Sequence, residues 1–421
     1  MRPVAEGASV PPAAPSRPSR PFSFGRLFGG TWLAFANYSV LIAVLPIAEL
    51  TEGGGPVLAT LIIGAPLLAQ TLASWGWGWL ADRTRTRRGP LVVAMLLQAP
   101  LFFSFPLLNA PELFAVRVAQ ATLFGAIVLA TTQATEDPSV SSAARLGHLQ
   151  FAQSGGMLSG VVLAFPLLVV SGFSLSSTAG WELGALLGGL TIVASGVFAL
   201  AGDLPPPPVS AHREPFRPRS HPGLFRLAGA TAAVSTFRYV PVTAIPVYLA
   251  SELGGHGFFG LPMNPTAQLA VWLAATSALN LYAAPISGRF AEEATTRRWA
   301  LVGFSFVYAA IWLALVVSPT YPVVFAVWVL PVSVFVTVGS VREAAGLSRP
   351  HERGRAVGLL TAAFNLGGLT GGALAGALLA EGSPFTQAFL VAALGSFASA
   401  FLFLPKFLRL PPPVESARTS E

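Results

Sequence analysis

The sequence predicts an all-α integral membrane protein with twelve transmembrane helices in two six-helix pseudo-symmetric bundles. Three observations predict this fold. Hydrophobic residues make up 53% and charged residues only 10% of the 421 residues, whereas a soluble domain carries about 25% charged residues. Apolar runs that are long enough to cross a bilayer, about 20 residues each, recur along the chain. A charged motif of the first half is also repeated at the corresponding place in the second half.

The apolar runs define the predicted spans, and a Pro-rich, charged stretch at 203–225 is typical of a linker between them. We therefore expect tails at 1–25 and 410–421, and bundles at 26–202 and 226–409. The first tail is rich in Pro, Ser and Ala, which favours a disordered segment over a signal peptide. The predicted spans are 27–50, 56–80, 90–109, 112–134, 147–172, 180–202, 226–251, 266–288, 299–317, 321–341, 355–380 and 384–408.

The distribution of positive charge predicts the orientation of these spans. If the N-terminus is cytoplasmic, every Lys and Arg except Arg117 and Arg238 falls in a cytoplasmic segment or at a cytoplasmic helix end. The opposite loops and helix ends carry glutamates instead, such as Glu49 and Glu252. This pattern follows the positive-inside rule. We therefore expect a multi-pass protein of the cytoplasmic (inner) membrane with both termini in the cytoplasm, and the net charge of +7 needs no nucleic-acid partner.

The residue types exclude several kinds of chemistry. The chain has no Cys, and therefore no disulfide framework, thiolate metal site or cysteine nucleophile, and its five His are scattered along the sequence. No Ser/His/Asp arrangement, phosphate loop or metal cluster is evident at the predicted helix ends. We therefore expect neither an enzyme nor a bound cofactor or metal ion.

The charged motif after the second span carries the strongest functional signal. Residues 78–90 are GWLADRTRTRRGP, and residues 288–298, GRFAEEATTRR, repeat the motif 210 positions later. A second repeat, at an offset of 212, aligns 153–160 with 365–372 and shares glycines whose spacing predicts close helix packing. Two repeats at corresponding positions indicate a duplicated six-helix unit, and transporters built in this way bind substrate between their halves. The residues shared by the charged stretches are Gly78, Asp82, Arg87 and Arg88 in the first, and Gly288, Glu292, Arg297 and Arg298 in the second.

These motifs resemble the major facilitator superfamily, from roughly residue 25 to residue 410. The first charged stretch is similar to the family signature Gly-x-x-x-Asp-Arg-x-Gly-x-Arg-Arg, with Arg83 matching and Arg85 in place of the usual Gly. Leu113-x-x-x-Arg117-x-x-Gln120 resembles the family's fourth-helix motif, and 350–358 looks like the start of its eleventh helix. The form DRTRTRRGP is especially similar to the glycoside–pentoside–hexuronide branch, which moves sugars with cations.

The resemblance implies that the repeated charged residues form a conformational latch between the halves. Such a latch is a charge-assisted contact that biases one of two conformations. The arginines could alternatively serve only as a topology signal beside anionic headgroups, but Asp82 adds nothing to such a signal. The expected latch residues are Gly78, Asp82, Arg83, Arg87, Arg88, Gly288, Glu292, Arg297 and Arg298.

Polar residues inside the predicted spans are the candidate substrate contacts. A charge at bilayer depth costs at least about 2.5–3.5 kcal/mol, and Arg238 lies near the middle of the seventh span with no acid in any helix centre. Arg117 lies nearer the outer end of its span and could instead pair with Glu112 or Glu49. The amides could equally hold helices together. The candidate set is Asn37, Tyr38, Arg117, Gln120, Gln153, Arg238, Tyr239, Asn280, Tyr282 and Asn365.

Together these observations predict a secondary active or facilitative transporter that moves a small polar organic solute, sugar-like or an organic anion, by alternating access. Glu49 is the candidate for coupling to a proton or a sodium ion, or it is simply a solvated carboxylate at a helix end. Two alternatives remain, namely an efflux transporter for amphipathic compounds and a non-transporting receptor or assembly factor on the same fold. The expected partners are the lipid bilayer and the solute, and a functional monomer is expected.

Overall fold

The computed structural model describes residues 22–136, 142–169, 177–204, 222–253, 261–348 and 353–404. Most of the two predicted tails and of the predicted linker lies outside these ranges, so the expected domain boundaries stay predictions. The α-helices of the described residues are α1 (Phe24–Thr51), α2 (Gly55–Thr84), α3 (Arg88–Phe103), α4 (Ala110–Phe124), α5 (Val128–Glu136), α6 (Ser142–Leu168), α7 (Thr178–Ala201), α8 (Pro222–Tyr248), α9 (Pro265–Glu292), α10 (Ala294–Val317), α11 (Tyr321–Val329), α12 (Val332–Gly346), α13 (Arg353–Ala380) and α14 (Phe385–Leu402).

These helices make twelve spans, as the sequence predicts. Eleven stretches of the described residues are long and apolar enough to cross a membrane, counting α4 with α5 and α11 with α12 as one span each. The twelfth span is α8, which continues through a π-helical turn at Leu249–Leu253. This span carries two arginines, Arg226 and Arg238. The fold is therefore the expected all-α membrane fold.

The packing of the helices is pseudo-symmetric. In the first half α1 packs against α6 and α7, and α3 packs against α7. In the second half the corresponding pairs are α8 with α13 and α14, and α10 with α14. The two most extensive contacts between the halves are α2 with α13 and α6 with α9, and these also correspond to each other under the repeat. The duplicated sequence therefore folds into two copies of one packing pattern.

The repeated glycines bring helix backbones together, as predicted from their spacing. A Cβ at Gly156 or Gly160 of α6 would overlap the backbone of α1, at Trp32 and Ala36. In the second half, Gly367 and Gly371 of α13 meet the backbone of α8 in the same way. The equivalent of Gly156 is therefore Gly367, one residue earlier than the sequence repeat places it. Gly368 and Gly372 face α2 of the other half instead.

The charged motif is more helical than its sequence predicts. The second span was expected to end at residue 80, but α2 continues through Thr84, so Gly78, Asp82 and Arg83 lie on its last turns. The chain then turns at Arg85, the one non-glycine residue with positive φ among the described residues, at φ 53°. A left-handed conformation favours glycine, which gives the physical reason for the glycine that the family signature has here. The eighth span likewise continues to Glu292.

The fourth span of each half is interrupted. The span from Ala110 to Ala134 contains a 3₁₀ turn at Gly125–Ile127 between α4 and α5. The tenth span breaks at Leu330 and Pro331, between α11 and α12. Pro331 has no backbone N–H to donate, which disfavours a continuous helix. Both corresponding spans were predicted as single helices.

Candidate functional site

The contact between α2 and α13 is closest at one end of the bundle. We call this the far end, where α2 begins at Gly55, and we call the other end, where α2 stops at Thr84, the basic end. At the far end a Cβ on Gly64 would lie 3.0 Å from the carbonyl oxygen of Gly368 and 3.5 Å from the Cα of Gly372. A Cβ on Gly376 would lie 2.7 Å from the Thr60 hydroxyl oxygen. We call this close contact the seam.

Two hydrogen bonds also join the halves, one near the middle of α2 and α13 and one at the far end. Asn365 Nδ2 of α13 donates to the hydroxyl oxygen of Thr71 on α2, at 2.5 Å. Asn264 Nδ2, at the start of α9, donates to the carbonyl oxygen of Leu168 at the end of α6, at 2.8 Å. Apolar packing continues across the halves here, since one buried cluster contains both Val40 of α1 and Leu249 beyond α8.

The basic end lacks the same close contact. Gly78 follows Thr71 by seven residues and therefore lies on the same face of α2, yet a Cβ there would meet no atom within 4 Å. The corresponding Gly288 is equally open. The buried apolar side chains near this end of the first half, such as Leu27 and Met95, form a cluster of their own that includes no residue of the second half. Among the described residues, the halves are therefore packed together at the far end and show no such close contact at the basic end.

Arg117 lies between the two ends and is held by neutral groups. Its side chain is 3% exposed, and Nη1 donates to Gln120 Oε1. Gln120 Nε2 in turn donates to Gln98 Oε1 of α3 at 2.6 Å. The guanidinium also lies 5.5 Å from the centre of the Tyr38 ring. Gln98 was not predicted as a site residue, because no other residue of the third predicted span was a candidate substrate contact.

Neither expected carboxylate pairs with Arg117. Glu112 instead accepts the backbone N–H of Asn109 at 3.0 Å and completes a capping box at the start of α4. Glu49 is fully buried, and neither of its carboxylate oxygens has a hydrogen-bond partner among the described residues. The ion pair that the sequence left open for Arg117 is therefore not formed.

Arg238 lies on α8, in the other half. Its guanidinium lies 5.3 Å from the centre of the Tyr239 ring, and no Asp or Glu of the described residues forms an ion pair with it. Tyr38 interacts electrostatically with both Arg117 and Arg238, and also with Tyr239. We call Tyr38, Arg117, Gln120, Arg238 and Tyr239 the central cluster.

The other candidate contacts lie apart from this cluster. Asn37 is buried against α7, where its Nδ2 donates to the carbonyl oxygen of Leu187 at 3.0 Å. Asn365 bonds to Thr71 near the middle of α2, and Asn280 has a buried Oδ1 without a partner among the described residues. Gln153 is partly buried on α6. Tyr282 is 76% exposed.

The expected latch residues of the first half lie on the last turns of α2 and at the start of α3. Asp82 and Arg83 are exposed, and the Arg83 guanidinium lies 5.3 Å from the Trp79 ring centre. The backbone N–H groups of Arg87 and Arg88 donate to Asp203 Oδ1, at 3.2 and 3.1 Å. Asp203, which follows α7, therefore anchors the start of α3, and nothing in the sequence repeat pointed to it.

In the second half, Arg297 and Arg298 form a buried ion cluster with Glu343 of α12. Arg297 Nη2 lies 2.6 Å from Glu343 Oε2, and Arg298 Nε lies 2.8 Å from Oε1. Arg297 Nη1 also donates to the carbonyl oxygen of Ala291 at 2.7 Å. Glu292 is exposed. Glu343 was not among the residues predicted from the sequence. It could have been found as an acidic residue at a predicted cytoplasmic helix end that otherwise carries arginines.

Comparison with known proteins agrees with this architecture. The family model described as Major Facilitator Superfamily matches residues 27–341 and 227–421. The chain belongs to the major facilitator superfamily. It is therefore a multi-pass membrane transporter, not an enzyme. No curated protein matches its sequence.

Solved structures with the same fold are remote in sequence. An auto-inhibited peptide transporter of the POT family has a TM-score of 0.71 and 14% identity, covering 94% of this chain and 99% of that one. The human organic anion transporter MFSD10 (TETRAN) has a TM-score of 0.65 and 15% identity, covering 90% and 98%. A bacterial homologue of the human lysosomal transporter Spinster, inward-facing and occupied, has a TM-score of 0.66 and 16% identity, covering 92% and 97%. These likenesses show the fold alone.

The Glu343 cluster gives a stability prediction. Glu343→Gln leaves Arg297 and Arg298 without a carboxylate in a buried site, and removal of one partner of a buried ion pair costs about 3–5 kcal/mol. We expect a clearly lower unfolding midpoint of the purified variant in detergent. Glu381→Gln is the control, because Glu381 is exposed at the far end. Equal midpoints for the two variants would show that the ion cluster does not stabilise the second half.

Proposed function

We propose that the protein moves a small polar organic solute, sugar-like or an organic anion, by alternating access. The observation that carries this proposal is the uneven contact between the halves, which is close at the far end and, for the part of the chain that the structure describes, open at the basic end. The central cluster lies between these ends and draws residues from both halves. Rocking of the halves about this level exposes the cluster to one side of the membrane and then to the other.

The expected latch fits the closing of the basic end in this mechanism. Gly78 lies on the face of α2 that forms the seam, and it has room for a second helix to approach. Asp82 lies one turn beyond it on the same face and is exposed. When the basic end closes, we expect this face to pack against α13 and the latch residues to make contacts between the halves. By the positive-inside rule the basic end is the cytoplasmic one.

The central cluster supplies the proposed substrate contacts. Tyr38, Arg117, Gln120, Arg238 and Tyr239 offer hydroxyl, amide and guanidinium groups at one level of the bundle. Gln153 and Tyr282 are proposed contacts from helices that join the halves. Asn280, whose buried Oδ1 has no partner among the described residues, is a further proposed contact. Asn37 and Asn365 are proposed only as contacts in other conformations of the cycle, because they bond to neighbouring helices here.

A reversible disulfide across the seam tests the proposal. The chain has no native cysteine, and the close approach of Gly376 to Thr60 suits the short Cβ–Cβ distance of a disulfide. In Thr60→Cys/Gly376→Cys, oxidation holds the far end closed. We expect the cross-link to abolish the uptake into proteoliposomes of those organic acids and sugars that the wild type carries. Reduction of the disulfide should restore uptake. The two single-cysteine variants are the controls.

Uptake that continues at the wild-type rate in the fully cross-linked protein would contradict alternating access about this seam. Wild-type vesicles that take up no member of such a panel would instead contradict the proposed solute class. The cross-link itself can be quantified by gel mobility after thiol alkylation, so both outcomes refer to a known cross-linked fraction.

We further propose that Glu49 links the conformational cycle to proton binding. With the far end closed its carboxylate is fully buried and has no hydrogen-bond partner among the described residues. Burial disfavours the charged form of a carboxylate, and a hard metal cation takes several oxygen ligands, so a proton suits this site best. Opening the far end brings solvent to Glu49 and favours ionisation.

No positive charge at the far end offsets this effect within the described residues. The charged side chains there are all acidic, namely Glu52 of the α1–α2 turn, Glu112 of α4, Glu182 of α7, Glu252 beyond α8 and Glu381 beyond α13. Arg117 lies further inside, and His256 falls outside the described residues. Protonation of Glu49 therefore favours the closed far end, and rising pH favours the open one.

Spin labels at the far end test this linkage. Leu107 and Leu261 are 69% and 58% exposed on opposite halves, so a cysteine at each position carries a label without disturbing the core. We expect the ratio of short to long distances to fall as pH rises, by up to about tenfold per pH unit, and Glu49→Gln to retain the short distance throughout. Glu182→Gln, which removes an exposed acid, should behave as wild type. A pH response that survives in Glu49→Gln would assign the linkage to another group.

A further inference from the structure

We propose that the solute is an organic anion whose carboxylate, or an equivalent oxyanion, binds between Arg117 of the first half and Arg238 of the second. This inference rests on the proposed transport function and narrows its substrate class. Its basis is the charge balance of the central cluster. Two guanidiniums from opposite halves both interact electrostatically with Tyr38, and no carboxylate of the described residues forms an ion pair with either of them.

The partners of Arg117 fix its position without neutralising its charge. Gln120 accepts from the guanidinium and is itself held by Gln98, whose Nε2 donates to the carbonyl oxygen of Ala94 at 3.3 Å. This chain of amides anchors Arg117 to α3 and α4. Preorganised donors of this kind suit an anion, because no side chain has to be ordered when the ligand binds. The positive charge is left for the ligand to match.

Arg238 is placed to complete the site from the other half. It is partly exposed, unlike Arg117, and its electrostatic partners are the tyrosines Tyr38, Tyr239 and Tyr308. Tyrosine rings attract a guanidinium through their π faces, but a neutral ring does not cancel its charge. An uncompensated arginine at membrane depth normally serves a ligand or a polar path.

The location of the two arginines connects binding to the conformational cycle. An anion that contacts Arg117 and Arg238 together bridges the halves at the level of Tyr38. Such a ligand binds best in the conformations that bring the two arginines together, and it therefore shifts the population towards them. A neutral sugar would leave both charges unmatched and would gain nothing from their approach.

The surroundings of the site indicate an organic body on the anion. The Tyr38 ring stacks on Phe124 with centroids 5.5 Å apart, and Phe35 packs edge-on to Tyr38 at 6.0 Å. Tyr239 contributes a further ring from the second half. Aromatic side chains of this kind bind apolar or planar ligand groups. A compact carboxylate with an apolar or aromatic body fits this combination better than an inorganic anion.

A thermal-shift titration of the purified full-length protein tests the inference, because a ligand that binds the folded state raises the unfolding midpoint by mass action. The probes are sodium benzoate, sodium succinate, sodium phosphate and glucose, each at constant ionic strength with sodium chloride as the baseline. The variants are Arg117→Gln, Arg238→Gln and the charge-conserving Arg238→Lys. Arg289→Gln is the matched control, since Arg289 is exposed at the end of α9.

We expect benzoate or succinate to raise the midpoint saturably, whereas glucose does not. Either glutamine variant should weaken this binding about tenfold or more, as expected when a charged hydrogen bond is lost. Arg238→Lys should retain part of the affinity, and Arg289→Gln all of it. Retained affinity in the lysine variant distinguishes loss of charge from loss of fold.

Three results would overturn the inference. They are stabilisation by glucose but by no anion, stabilisation by phosphate alone, and anion binding of undiminished affinity in both glutamine variants. The seam cross-link remains an independent test of the proposed function. A protein that transports a neutral solute under control of that cross-link would refute the anion site while supporting alternating access.

Discussion

Close backbone packing between α2 and α13 at the far end is the contact on which the rest of the structure depends. Gly64, Gly368 and Gly372 let the two helices approach closely, and lipid provides no hydrophobic force to hold helices together. Van der Waals packing of small residues therefore dominates the association. This contact fixes where the halves meet, and so it also determines where they separate and at which level a solute can lie between them.

In the described part of the chain, buried charged residues are compensated at the basic end of the bundle but not at its centre. At the basic end, Arg297 and Arg298 share Glu343, and this ion cluster ties α10 to α12 within one half. At the centre, Arg117 and Arg238 are surrounded by amides and aromatic rings and are paired with no acid of the described residues. The first arrangement makes a half rigid, and the second leaves charge available to a ligand. Rigid halves and a charged centre are both needed for rocking to be coupled to binding.

Much of the fold could be predicted from sequence because membrane constraints are local. Apolar length predicts the spans, and the repeat at 78–90 and 288–298 predicts two equivalent halves. The same reasoning placed the end of α2 too early, because charge was taken to end the helix, whereas Asp82 and Arg83 extend it at the polar surface. The breaks in the fourth and tenth spans depend on tertiary packing that hydropathy does not record.

The site was less predictable, because polar residues within a span look alike in sequence. Asn37 and Tyr38 are neighbours in the chain, but Asn37 bonds to α7 while Tyr38 joins the central cluster. Their directions depend on the rotation of α1 against its neighbours. The unpaired state of Arg238 was visible in the sequence as an absence of acids in the helix centres. The role of Glu343 was not visible in the sequence, because its partners Arg298 and Arg297 lie 45 and 46 residues away along the chain.

The central claim, that the two ends open alternately, is tested most directly by measuring distances at both ends of the same protein. Spin labels at cysteines replacing Leu107 and Leu261 report on the far end, and labels replacing Trp79 and Trp299, which are 60% and 57% exposed, report on the basic end. The account predicts two distance populations at each end. Under every condition, the fraction of molecules with the short far-end distance should equal the fraction with the long basic-end distance. A single distance at each end, or distances that lengthen and shorten together, would contradict it.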